Sequence, residues 1–214
     1  MVRVLLPKIP AGLRDTTDDR TMLVKHAQFE RIILRGIDGS NIAAQKMKFD
    51  EAALDRLTLI NAAFDSVTML DTEVRGSELS ASVMSGGIFN RVRFSGCRMS
   101  GIDLSRASFH NVTFTGCKLD MANFRFAKLD GVKFEDCTLT EADFQVGELA
   151  NVDFDDCTIE RAIFDQCKIR SVDARTSELS QIHGWRYLRG MTIDHTQLIH
   201  IAPELAGEFG LKVE

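Results

Sequence analysis

Every fifth residue along most of this chain is apolar. Stepping by fives from Val24 to Leu179 visits 32 positions, and 29 of them carry Val, Leu, Ile, Met or Phe; the exceptions are Gly39, Ala44 and Ala174. Twelve of the 14 phenylalanines share this register, with Phe126 and Phe209 outside it. No insertion breaks the pattern. Five residues turn an α-helix through about 500°, so on a helix the pattern would gather no face. Extended chain accommodates it, because residues i−2 and i point one way and i−1 the other. The i−2 positions are mostly small: Ala122, Ala127, Val132, Cys137, Ala142, Gly147 and Val152. Each pentad therefore reads small-in, polar-out, large-in, and leaves two residues to turn a corner.

The pentads group in fours. The segments NRVRFSGCRM, HNVTFTGCKL, DGVKFEDCTL and ANVDFDDCTI recur every 20 residues and align Phe94, Phe114, Phe134 and Phe154. The same alignment stacks Val92, Val112, Val132 and Val152, and also Cys97, Cys117, Cys137 and Cys157. Four corners close one coil, so the 32 positions make about eight coils along an axis of roughly 38 Å, at ~4.8 Å per parallel strand. Phe and Leu fill the axis, and the small residues leave room for them.

A register of this kind resembles the pentapeptide-repeat family, whose signature is A(D/N)LXX. Here it reads ADF at 142–144, ANF at 122–124 and, less strictly, IDL at 102–104. The resemblance covers about three quarters of the chain. It implies an all-β fold, a right-handed quadrilateral parallel β-helix, and that hand agrees with the general preference of parallel crossovers. The expected organisation is a cap or arm over 1–23, the repeat over 24–193, and a helix with a short strand over 194–214.

An open coil exposes unpaired strand groups, so both ends need cover. Asp194 is placed to N-cap a helix carrying Leu198, Ile199, Ile201, Ala202, Leu205 and Phe209, ended by Gly210. Pro203 is expected to kink or divide it, and LKV after Gly210 could add a strand. Several pentapeptide-repeat proteins dimerise through such a C-terminal element. The resemblance therefore implies a homodimer through those six residues; the alternative is a helix that only plugs its own coil.

Little in the chain points to catalysis. All five cysteines fall at i−2 positions, Cys167 on the opposite side from the ladder. Parallel Cβ vectors suit disulfides poorly, and a straight column does not converge on a tetrahedral zinc. The five histidines form no recognised metal spacing, and no nucleophile elbow or phosphate loop is present. No catalytic, cofactor-binding or metal-binding residues are expected. A composition of 44% hydrophobic and 27% charged residues is that of a soluble globular protein. No apolar run reaches membrane length, and Pro7 and Pro10 interrupt VRVLLPKIP too early for a signal peptide. A cytoplasmic location is expected.

Charge is distributed unevenly. Residues 130–165 hold 11 acidic side chains against Lys133 and Arg161, whereas 86–128 hold seven basic side chains against Asp103 and Asp120. Register places Glu135, Asp136, Asp153, Asp155 and Asp156 on one outward face, and Asp173 extends the column. Some pentapeptide-repeat proteins form acidic, DNA-like rods that bind bacterial type II topoisomerases and protect them from quinolones. The resemblance thus makes those six residues a candidate partner-binding face, with gyrase or topoisomerase IV as the candidate partner. An acidic face that only keeps the rod soluble is the plainer reading, and it is favoured. The general expectation is a non-enzymatic scaffold with a macromolecular partner. Two lesser candidates are an outward patch of Met121, Phe126 and Val146, and direct nucleic-acid contact through Arg91, Arg93, Arg98 and Lys118.

Overall fold

The computed structural model describes residues 2–17 and 20–212. They form a parallel β-solenoid of about nine turns, closed at one end by a single helix. The predicted 20-residue coil is seen directly in the strand register. Phe94 pairs with Phe114, Phe114 with Phe134, and Phe134 with Phe154. Five strands of eight residues, Thr68–Arg75, Ile88–Ser95, Ser108–Thr115, Lys128–Glu135 and Glu148–Asp155, stack in order along one flank.

The inward positions make one axial core. Phe94, Phe114, Phe134 and Phe154 stack with ring centroids 4.9, 4.9 and 5.1 Å apart. Phe124, Phe144 and Phe164 form a second ladder at 4.9 Å steps, meeting the first edge-on. Offset and edge-to-face contacts both suit the ring quadrupole. Small residues sit between them: Ala122, Ala142 and Cys137 are 0–1% exposed. Corners are tight turns. Ala122 N–H donates to the Leu119 carbonyl at 3.0 Å while Met121 takes φ 57°. A positive φ at the third residue is the type II pattern. All five cysteines are buried thiols.

Both ends extend the coil beyond the regular register. Strand Arg14–Thr17 pairs with Ile32–Arg35 at an offset of 18 residues (Arg14 with Ile32), and Met191 pairs with Val172 at an offset of 19. These shifted pairings raise the expected eight coils to about nine. The register also starts differently from the sequence expectation: Val24 is 54% exposed and Leu23, 4% exposed, turns inward instead. Gly39 explains this. A Cβ at Gly39 would lie 2.7 Å from both Leu23 Cδ1 and Leu59 Cδ2, so those two leucines fill the space that the gap in the register leaves.

The C-terminal helix, His195–Glu208, begins at Asp194 with a full capping box to Gln197 and is followed by Gly210 at φ 69°. Pro203 lies inside it without dividing it, because tertiary anchors hold both halves to the coil. The Gln197 amide donates to the carbonyls of Ala174 (2.6 Å) and Ser177 (2.5 Å). The Glu204 carboxylate accepts from the N–H groups of Gln181 (2.8 Å) and Ile182 (3.3 Å) and from Trp185 Nε1 (3.2 Å). These are main-chain groups at the open end of the last coil, which would otherwise lack partners. Leu211 and Lys212 belong to no strand, and Val213 lies outside the described residues.

Candidate interaction surfaces

The structure brings the six acidic residues together and gives them unlike surroundings. Parallel pairing sets Asp153 beside Lys133 and Asp173, and Asp155 beside Glu135. Lys133 Nζ lies 2.9 Å from carboxylate oxygens of both Glu135 and Asp155. Arg175 holds Asp173 at 2.6 Å. Asp153 is only 5% exposed, beneath the N-terminal arm. Asp136 and Asp156, stacked on one corner, are exposed, and among the described residues no cation pairs with either. A cleft of about 220 Å³ lies between Asp153, Asp155, Asp173 and Arg175.

Lys133 and Thr176 hold the Asp155 carboxyl below its ordinary value, and Arg175 does the same for Asp173. A carboxyl whose folded pKa lies below its unfolded value stabilises the fold above about pH 4, and that contribution is lost as pH falls through the lowered folded value. Lys133→Met should therefore cost about 1 kcal/mol near neutral pH and much less near pH 2, read as the difference in urea midpoints.

The basic residues are similarly engaged. Arg91 forms a two-pronged pair with Asp71, Arg93 lies 3.7 Å from Glu73, and Arg98 lies 3.8 Å from Glu78, each from the neighbouring coil. Lys118 is exposed. Charges one coil apart thus interleave along the columns.

Corner residues show a second feature. Most non-glycine residues held at positive φ are polar or charged, whereas Met121 (φ 57°), Phe126 (60°) and Val146 (59°) are large and apolar. They are 58%, 44% and 36% exposed. Left-handed backbone costs an L-residue roughly 1–2 kcal/mol, and a β-branched side chain there is unusual. The Arg106 guanidinium stands 5.4 Å from the Phe126 ring and that of Arg125 6.0 Å from it.

The helix has two faces. Ile201, 1% exposed, and Gln197 pack on the coil, and Leu205 is half-buried. Leu198, Ile199, Ala202 and Phe209 face outward, with Ile199 61% and Phe209 66% exposed. Gln197 and Glu204 were not anticipated as anchors. The DHTQ capping box at 194–197 could have marked Gln197, whereas nothing local marks Glu204. Among the described residues no group of three or more His, Cys, Asp or Glu is placed to hold a metal. Burial pushes the Cys167 thiol up to about 12, far from nucleophilic thiolate chemistry. No helix among the described residues is long and apolar enough to cross a membrane.

A four-sided parallel solenoid with a 20-residue coil defines the class. Residues 87–164 match the family model described as a pentapeptide repeat region. The chain belongs to the pentapeptide-repeat proteins. No curated protein matches it. Among solved structures, full-length QnrB1, described as a plasmid-mediated fluoroquinolone resistance protein, is 16% identical over 91% of this chain and 98% of its own, with a TM-score of 0.31. HetL from the cyanobacterium Nostoc, described as involved in heterocyst differentiation regulation, is 16% identical over 86% and 92%, at 0.29. Rfr23 from the cyanobacterium Cyanothece is 14% identical over 51% and 86%, at 0.37.

Proposed function

We propose that the protein is a cytoplasmic, non-catalytic scaffold: a rigid rod that binds a protein partner through outward corner residues and pairs with a second copy through the outer face of its helix. The carrying observation is the cluster of Met121, Phe126 and Val146. Large apolar side chains sit there at a backbone conformation that disfavours them and stay largely in water. Such positions gain little from burial, so binding is the reason to keep them. The triple variant Met121→Asn, Phe126→Asn, Val146→Asn should unfold within about 1 kcal/mol of the parent, because Asn tolerates left-handed backbone. A loss above about 2 kcal/mol would make the cluster part of the fold.

Pairing rests on Leu198, Ile199, Ala202 and Phe209. Sedimentation should give twice the chain mass, and Leu198→Glu with Ile199→Glu should return the monomer. A parent sedimenting as a monomer at high concentration would overturn the pairing.

A second reading, a DNA-mimicking regulator of gyrase or topoisomerase IV, is favoured by the exposed corner of Asp136 and Asp156. Gyrase supercoiling measured against increasing protein tests it. Asp136→Lys with Asp156→Lys is the informative variant, because Asp153 and Asp155 also hold the arm and Lys133. Inhibition or quinolone protection lost in that variant supports the reading; no effect of the parent far above enzyme concentration removes it.

A further inference from the structure

The first residues of the chain lie along the outside of the rod, and their contacts follow a rule. Val2 N–H donates to Asp153 Oδ2, Leu5 N–H to Asn111 Oδ1 (3.1 Å) and Lys8 N–H to Asp71 Oδ1 (2.9 Å). The donors are three residues apart and the acceptors about 40, which is two coils. In a β-strand, N–H groups three apart point to opposite sides. A polyproline-II segment turns once in three residues and rises ~9.3 Å per turn, so it presents every third N–H to one side. Two coils span ~9.6 Å. The two repeats match to within a few tenths of an ångström.

The arm's composition fits that geometry. Pro7 and Pro10 favour it and fall at positions where no N–H is used. Gly12, at φ 74°, then turns the chain toward its first strand.

The footprint is visible in burial. Asp71 and Asn111 lie on corners, and Glu73, Thr113 and Asp153 point outward, yet these five are 7, 9, 9, 8 and 5% exposed, respectively. The fit is loose on the arm's other side. Leu5 and Leu6 are 50% and 54% exposed, and about 540 Å³ of open space lies between Val2, Val4, Leu6 and the face carrying Arg93, Thr113 and Lys133. No arm residue belongs to the axial core, which begins at Leu23. The arm is held by its main chain at regular points rather than by packed side chains.

We propose that the corner column Asp71–Asn111–Asp153 is a docking track for an extended polyproline-II segment, whose occupant is this chain's own residues 2–8. The track reads main-chain N–H groups at i, i+3 and i+6 and tolerates proline at i+5. It does not depend on the scaffold or topoisomerase readings. It does mean that Asp153 is reachable from outside only when the arm has left.

Amide exchange by NMR on the full chain tests the rule. Leu5 and Lys8 should exchange about tenfold more slowly than Arg3, Val4 and Leu6, as a locally hydrogen-bonded pair would. Asn111→Gly removes the middle acceptor and suits the left-handed backbone there, as Gly131 does one coil on. It should bring Leu5 to the level of Val4 while Phe114 stays protected. The second arm of the test uses a chain beginning at Ala11, which keeps every strand and the whole core. The acetylated peptide VRVLLPKIP should bind it one-to-one and saturably, at least about tenfold more weakly after Asn111→Gly, and should not bind the full chain, where the tethered arm outcompetes it. Leu5 and Lys8 exchanging like Val4 in the full chain would overturn the proposal. A folded arm-less chain that ignores the peptide would overturn it equally.

Discussion

Phe134→Ala is expected to cost about 3–5 kcal/mol, enough to unfold the central coils. The ring is fully buried, stacked on Phe114 at 4.9 Å and Phe154 at 5.1 Å, and met edge-on by Phe124 and Phe144 at 6.1 and 6.4 Å. Removing it opens a cavity between two continuous ladders, and neither can close without shifting strand register. A solenoid's stability is a sum of coils and their interfaces, so a defect at the centre weakens both neighbours. Phe126→Ala removes the same side chain one register off, at a corner 44% exposed, and should cost no more than about 1 kcal/mol. Urea unfolding of the two variants side by side reads the difference. Equal losses would mean that the five-residue register does not decide what is core.

The second large effect is expected at the cap. Gln197→Ala with Glu204→Ala strips partners from the carbonyls of Ala174 and Ser177, the N–H groups of Gln181 and Ile182, and the Trp185 indole. Each buried group left without a partner costs about 1–3 kcal/mol, so the helix should detach from the coil. Hydrogen exchange should then lose protection at 178–208 while the coils around Phe114 keep theirs, a local opening rather than global unfolding. The uncovered strand edge should also drive concentration-dependent association. A double variant with unchanged protection at Ile182 would show that apolar contacts, Ile201 chief among them, hold the cap unaided.

Much of this molecule can be read from spacing. The period of five and the 20-residue alignment specify coil length, inward residues and ladder order, because each inward position has one identical neighbour above and one below. Asp194, Gln197 and Gly210 mark the helix through local chemistry. What spacing does not carry is pairing between coils. The run from Asp130 to Asp165 is strongly acidic along the chain, yet Glu148 meets Lys128 and Lys168, Asp143 meets Arg125, and Glu141 meets Arg161. A partner meets columns, not segments. Only the corner of Asp136 and Asp156 keeps the character that the linear count suggested. The arm was equally hidden, since its three-residue rule exists only against a lattice of coils. Leu23 displaced Val24 from the core for a related reason: the first coil has a neighbour on one side only.

The account's central claim is that the exposed apolar corner is a working surface. A photo-crosslinking residue placed at Phe126, in the cells that make the protein, tests this directly, with the same residue at Gly116 as the control corner. The account predicts one dominant adduct from position 126, absent from position 116 and lost when Met121 and Val146 are changed to Asn. No adduct at 126, or the same adduct from both corners, would contradict it.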